Sequence, residues 1–264
     1  MLIAHISDLH IAEDGQNAYG EVPTAQNLAR CVAHINQLQP SVDLVLVTGD
    51  ITYAGLQSEA ELAAELLGKL GAPYYLIPGN HDDRAVLRSV FEQRGCPATA
   101  DNFINYVVDD FPLCCIALDT IVPGEPGGEV CAERAAWLEE QLERTAGRPT
   151  LIFMHHPPVK CGVLETDEDG FVGADLLGAV IEQYPNIERI LCGHIHLTTH
   201  VRWRGTVIST AASMGLQLLL DLTLKLPSSF YNDAPCYQLH YWSPDKQLIS
   251  HTVSLHKMQG PYLF

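Results

Sequence analysis

Five short apolar runs in this chain each end on a residue able to hold a metal ion. Leu2–Ile6 is followed by Asp8 and His10, and Leu44–Val47 by Thr48-Gly49-Asp50. Residues 74–77 lead into Pro78-Gly79-Asn80-His81-Asp82, 151–154 into His155-His156, and 189–192 into Gly193-His194-Ile195-His196. Apolar runs of this length, rich in Val, Ile and Leu, read as buried strands. Between them lie stretches with helical spacing, such as Ala25-Leu28-Val32-Ile35-Leu38 and Leu176-Leu177-Val180-Ile181. Alternating strands and helices build βαβ units, whose functional loops gather at the carboxyl edge of the sheet. The five chemical tails are therefore expected to converge. In Asp8-Leu9-His10 and His194-Ile195-His196 the polar residues are two apart, so extended backbone points both to the same side.

Elsewhere apolar runs follow one another without a helix: 105–108 and 114–118, 201–203 and 207–210, 237–242 and 248–253. These predict antiparallel strands added to the sheet system, giving two stacked sheets flanked by helices. Residues 123–128 (Pro-Gly-Glu-Pro-Gly-Gly) read as a turn-rich loop. Residues 164–173, with four acidic side chains and no pattern, read as an exposed loop. The apolar run 216–226, interrupted by Asp221, fits a lid, a dimer contact or plain core.

A mixed set of carboxylate, imidazole and one amide suits Mn, Fe, Co, Ni or Zn better than an all-oxygen cage or a thiolate site. One carboxylate can bridge two cations, and Asp50 in its Gly-Asp turn is the natural bridge. Singly, each of these residues is more often a turn former, a cap or a satisfied core histidine. Five strand ends marked in the same way are not explained so.

Lys and Arg number 15 against 32 Asp and Glu, a net charge of −17. That balance disfavours a nucleic-acid polymer or an anionic membrane as partner. It leaves room for an anionic substrate if bound metal supplies local positive charge. No basic, apolar leader precedes Ser7-Asp8, and no apolar run approaches the roughly 20 residues of a membrane span, so a cytoplasmic protein is expected. The eight cysteines are scattered and form no C-x-x-C pair, which fits reduced thiols; Cys236 is the one considered for bridging subunits.

In order, Asp8-Leu9-His10, Gly49-Asp50, Gly79-Asn80-His81-Asp82, His155 and Gly193-His194-Ile195-His196 resemble the five-block signature of the calcineurin-like metallophosphoesterases. Wider stretches (MLIAHISD at 1–8, YLIPGNHDD at 75–83, VDDF at 108–111, FMHHPP at 153–158, Ser254-Leu255-His256 and Gly260-Pro261) resemble the bacterial glycerophosphodiesterases of the class III cyclic-nucleotide phosphodiesterase group. The resemblance covers nearly the whole chain and departs from the pattern mainly at 216–226.

The resemblance implies an α/β fold, a four-layer αββα sandwich with mixed sheets. Together with the pass along the chain, this gives an expected metallophosphoesterase core at 1–210, a possible lid or dimerisation segment at 211–236, and C-terminal strands completing the sandwich at 237–264. It implies two divalent metal ions (Fe, Mn, Zn or Co). One would be held by Asp8, His10, Asp50 and His196, the other by Asp50, Asn80, His155 and His194. Asn80 is a neutral, weak ligand, so the second site should bind less tightly. The implied reaction is phosphodiester hydrolysis by in-line attack of a metal-bound hydroxide, on cyclic nucleotides such as 3′,5′-cAMP, on glycerophosphodiesters, or on both.

Asn80, His81 and Asp82 are the expected catalytic group. His81 acts as charge stabiliser or general acid, and Asp82 is expected to hold its ring. His81, Tyr19 and His196 are the expected substrate contacts. His156 is expected to orient the His155 loop, His200 to sit on a strand face and Cys192 to lie in the core. A small-molecule phosphodiester substrate and a homo-oligomer, dimer or higher, complete the expectation. The rivals are a broad-specificity phosphomonoesterase on the same core, a non-catalytic binding scaffold, and a redox or disulfide-linked structural protein.

Overall fold

The computed structural model describes residues 1–97, 102–257, 259–260 and 262–263. Its first part alternates strand and helix: β1 (Leu2–Ile6), α1 (Thr24–Gln37), β2 (Leu44–Val47), α2 (Gln57–Leu67), β3 (Tyr74–Leu76) and α3 (Arg84–Phe91). Then come β4 (Tyr106–Val108), β5 (Cys114–Ala117), β6 (Ile121–Val122), β7 (Glu125–Glu129), α4 (Ala132–Arg144) and β8 (Thr150–Phe153). They are followed by α5 (Leu164–Asp169), β9 (Phe171–Val172), α6 (Ala174–Ile181), β10 (Ile187–Cys192), β11 (Thr199–Trp203) and β12 (Thr206–Thr210). The remaining strands are β13 (Leu216–Leu218), β14 (Phe230–Asn232), β15 (Cys236–Trp242) and β16 (Leu248–Ser254).

Two large mixed sheets result, ordered β16-β15-β1-β2-β3 and β11-β12-β10-β8-β5-β4. In each, three neighbouring parallel strands are joined by helical crossovers: β1, β2 and β3 through α1 and α2, and β5, β8 and β10 through α4 and α6. Parallel strands cannot be joined by a tight turn, so a crossover helix is obligatory. β2, β5 and β8 are buried along their whole length, which is why they read as unbroken apolar runs instead of alternating ones.

The two sheets share one apolar core. They are also linked by Gln238 Nε2 of β15, which donates to the Thr210 carbonyl of β12 at 2.8 Å. Helix α1 lies against β15 through His34 and Tyr237, and Phe91 of α3 meets the ring of Tyr74. Helices α4 and α6 pack on each other beside the second sheet. The order of layers is helix, sheet, sheet, helix, as the α/β sandwich expectation requires. No helix among the described residues is long and apolar enough to cross a membrane.

Two segments differ from the sequence reading. Residues 123–128 are not only a loop: Glu125–Glu129 is a strand that pairs with Ile121–Val122 on one side and Phe171–Val172 on the other. Its composition, one Pro and two Gly, hides a strand held entirely by its partners. Residues 164–173 hold a short helix followed by β9, and Asp167 anchors the helix by accepting from the backbone N–H groups of Cys161 and Gly162. Residues 216–232 form a separate two-stranded hairpin, β13 against β14. All eight cysteines are unpaired, and Cys192 is fully buried. Within 237–264, positions 258, 261 and 264 lie outside the described residues, Pro261 of the C-terminal likeness among them.

Candidate metal centre

The polar tails of β1, β2, β3, β8 and β10 meet at one end of the sandwich, straddling the two sheets. Asp8, His10, Asp50 and His196 are all buried, and their ligand-capable atoms lie within 4.8 Å of one another. Asp50 faces both ways: Oδ2 lies 3.4 Å from His10 Nε2, and Oδ1 lies 3.5 Å from His155 Nε2. Asn80 Oδ1 lies 3.0 Å from His155 Nε2 and 3.2 Å from His194 Nδ1. The seven side chains singled out by the sequence, Asp8, His10, Asp50, Asn80, His155, His194 and His196, thus form one cluster.

Local backbone explains how such loops are built. Asp8, His10, Asp50, His194 and His196 all have positive φ, between 42° and 70°. Left-handed backbone costs a residue with a side chain about 1–2 kcal/mol. Strain concentrated on these positions marks a site that the rest of the fold over-determines. The motif glycines are needed for close approach. A Cβ on Gly79 would run into the Asp50 carboxylate and backbone, and one on Gly193 into Ser7 Oγ and the Asp8 carboxylate.

Donor and acceptor arithmetic tests whether cations fit. His155 Nδ1 donates to the Thr48 carbonyl at 2.6 Å, because a carbonyl only accepts. Its Nε2 therefore faces Asn80 Oδ1 at 3.0 Å and Asp50 Oδ1 at 3.5 Å. Likewise His196 Nδ1 donates to the Leu216 carbonyl at 2.7 Å, which turns its Nε2 toward His10 Nε2 at 3.0 Å and Asp8 Oδ1 at 3.4 Å. Buried imidazole nitrogens, two carboxylates and an amide oxygen converging at this range are what a bound cation satisfies, so the donor set fits metal in both halves.

Burial holds His10 and His194 down to about 3, in the neutral form a ligand needs. Burial pushes the carboxyl pKa of Asp8 and Asp50 up, but the surrounding imidazoles, His196 for Asp8 and His155 for Asp50, outweigh it and keep both ionised.

Other expected residues take definite places. His81 Nδ1 donates to the Tyr53 carbonyl at 2.8 Å, and its ring stands edge-on to His10 at 4.7 Å. Asp82 does not hold that ring. Its carboxylate instead accepts from the backbone N–H of Ile51, Thr52 and Gly79 and from the Thr52 hydroxyl, clamping the β3 loop to the β2 loop. The reason is competition for partners: four donors saturate the Asp82 oxygens, and His81 Nδ1 is already taken by the Tyr53 carbonyl. His156 shares the second cluster with His155 and His194, but Thr120 Oγ1 and the Pro126 carbonyl occupy its two nitrogens. His200 sits on β11, bonded to Ser209.

A cavity of about 520 Å³ opens on the cluster. His10, Asp50, Asn80, His81, His194 and His196 form its floor, with Tyr19 in the wall. Tyr19 packs on Tyr53 and Phe230. The wall also holds Ser228, Ser229 and Phe230, from the segment expected as a lid or dimer contact, and Glu165 and Asp169 of α5, which the sequence reading had left in an exposed loop. Asp169 Oδ2 lies 3.9 Å from His194 Nε2, a buried nitrogen with no hydrogen-bond partner among the described residues.

Residues 1–197 match the family model for calcineurin-like phosphoesterases, a span that holds all five blocks. The chain belongs to this family. Over 265 residues, covering all of the chain and 97% of the relative, this phosphoesterase is 37% identical to the probable glycerophosphodiester phosphodiesterase GpdQ of Arcobacter nitrofigilis. It is 28% identical, over 81% of its length and 76% of the relative, to the 3′,5′-cyclic adenosine monophosphate phosphodiesterase CpdA of Escherichia coli. A dimetal phosphatase from Danio rerio shares its fold with a TM-score of 0.65 over 96% of this chain and 98% of that one, at 14% identity.

Proposed function

We propose that this phosphoesterase hydrolyses phosphodiesters at a pair of divalent cations. Asp8, His10, Asp50 and His196 hold one, and Asp50, Asn80, His155 and His194 hold the other. The observation that carries the reading is the two-sided placement of Asp50, whose oxygens face His10 and His155 separately. The cations, drawn from Fe, Mn, Zn or Co, supply charge neutralisation at the phosphoryl oxygens and an activated water.

The chain's own residues do the rest. His81 has Nδ1 committed to Tyr53, which leaves Nε2 as the working nitrogen. Burial alone would lower its pKa, but Asp50, the Tyr53 carbonyl and Asp82 raise it. The imidazolium then stabilises the developing charge and passes its Nε2 proton to the departing alkoxide. Asn80 bridges the two histidines of the second half, and Asp82 fixes the loop that carries both Asn80 and His81.

The carboxylates of Glu165 and Asp169 in the cavity wall favour a singly charged diester over a doubly charged monoester. The hairpin at 216–232 roofs the cavity through Phe230, Ser228 and Ser229 and acts as a lid, and Tyr19 contacts the substrate. The substrates named for the relatives, glycerophosphodiesters and 3′,5′-cAMP, are the first candidates here. The reading also places the protein in the cytoplasm as a homo-oligomer.

The test is a substrate panel after chelation, with Mn, Fe, Co or Zn added back: glycerophosphoethanolamine, 3′,5′-cAMP, a bis-aryl phosphate and an aryl monoester. Metal-restored hydrolysis of diesters, faster than of the monoester, is expected. Hydrolysis of the monoester alone would assign a phosphatase, and no metal-dependent turnover at all a binding scaffold.

A further inference from the structure

Behind the cluster, the sandwich core holds a polar seam that no ligand role uses. His5 on β1 and His240 on β15 are completely buried. Their donor pattern is fixed by two ends that each have only one choice. At one end, the Thr48 carbonyl can only accept, so Ser7 Oγ donates to it at 3.2 Å. The Thr48 hydroxyl then donates to Ser7 Oγ at 2.8 Å, and so must accept from His5 Nε2 at 2.9 Å. His5 Nδ1 is left as an acceptor for His240 Nε2 at 3.4 Å. His240 Nδ1 in turn accepts from the Ser250 hydroxyl at 2.7 Å. At the far end, the Arg189 guanidinium can only donate, and it does so to Ser250 Oγ at 2.6 Å. Every donor in the chain points the same way, from Arg189 toward Thr48. Burial drives the His5 pKa down to about 3, which keeps its ring in the neutral form that this pattern requires.

The chain ends where it matters. Thr48 O also accepts from His155 Nδ1 at 2.6 Å, and that bond alone decides which nitrogen of His155 faces Asn80 and Asp50. An aligned series of donors polarises each member and resists rotation of the last peptide. We infer that the Arg189–Ser250–His240–His5–Thr48 chain is a positioning device for His155, and that through it β1, β15 and β16 set the affinity of the second cation. The inference rests on the metal reading above. Outer partners of ligating histidines change metal affinity by about 10- to 100-fold.

The test is a calorimetric titration of the metal-free full-length protein with Mn²⁺, resolved into its tight and weak steps, with thermal unfolding of each variant alongside. His5→Leu removes that residue's bonds to Thr48 and His240. His5→Gln replaces them with an amide that can donate to Thr48 and accept from His240. We expect His5→Leu to weaken the second step about tenfold and His5→Gln to remain within about threefold of wild type. Thr48→Val, of the same shape but without the hydroxyl, should match His5→Leu, and it decides the matter should His5→Leu fail to fold. A second step unchanged in Thr48→Val overturns the inference. So do equal weakening of both steps, or a His5→Gln protein as weak as His5→Leu, since a merely structural role gives those results. If wild type binds no Mn²⁺ in either step, the metal reading itself is refuted.

Discussion

Acid should destabilise this protein through His5, and the size of the effect follows from burial. Its ring is fully enclosed, and that holds its pKa near 3 against 6.5 in an unfolded chain. Below pH 6.5 the unfolded chain therefore binds a proton that the native protein refuses. Stability rises with pH wherever the unfolded state binds more protons, so the contribution of His5 is fully present above pH 6.5 and is lost as pH falls toward 3. From pH 6.5 to 5 the loss is about 1.5 pH units at 1.36 kcal/mol each, or about 2 kcal/mol. His240, buried beside it and also held well below its ordinary value, acts in the same direction. For a chain of this size 2 kcal/mol is a fall of about 4–8 °C in Tm. The assay is thermal unfolding of metal-free protein at pH 7 and pH 5, wild type against His5→Gln. Gln does not titrate, so the variant should lose about 2 kcal/mol less between the two pH values. Parallel losses in the two proteins would refute the argument, since the other buried histidines are common to both.

Three further outcomes are expected. His81→Ala should bind metal as wild type does yet lose about 10²- to 10⁴-fold in kcat on an alkyl diester, and less on an aryl diester whose leaving group needs no proton; stopped kinetics on both substrates checks this. Gly79→Ala, whose new methyl collides with Asp50, should cost about 1–3 kcal/mol in denaturant unfolding and abolish metal binding. Arg84→Ala strips the fully buried Asp119 of a two-pronged partner at 2.6 and 2.9 Å and should lower stability by about 3–5 kcal/mol, with a correspondingly earlier urea midpoint.

The parts that were legible in the sequence are those governed by local pattern. β2 lies at its expected bounds because a fully buried parallel strand shows as an unbroken apolar run, and β1 because its run is apolar apart from His5. The candidate cluster was legible because Gly-Asp, Gly-Asn-His and Gly-His-Ile-His each combine a close-approach glycine with a ligand-capable side chain. Long-range partners were not legible. Nothing near Pro126 says that 125–129 will find Phe171–Val172, and nothing in the acidic stretch at 164–173 says that Glu165 and Asp169 will face the same cavity as Tyr19. The Asp82 carboxylate was assigned to the wrong partner because its four donors come largely from a loop thirty residues earlier. A signal for the buried seam did exist: His5 and His240 are imidazoles set into runs that otherwise read as strands, Leu2–Ile6 and Cys236–Trp242.

The pairing of β1 with β15 has a consequence for biosynthesis. Leu2 waits for Tyr241, and the Met1 nitrogen meets the Trp242 carbonyl, so β1 stays open on one side until β15, more than 230 residues later, has emerged. Contacts so distant along the chain are slow to form. A nascent polypeptide still on the ribosome thus exposes Ile3 and Ala4 along an unsatisfied edge, and any truncation upstream of position 236 leaves that edge permanently bare and prone to self-association.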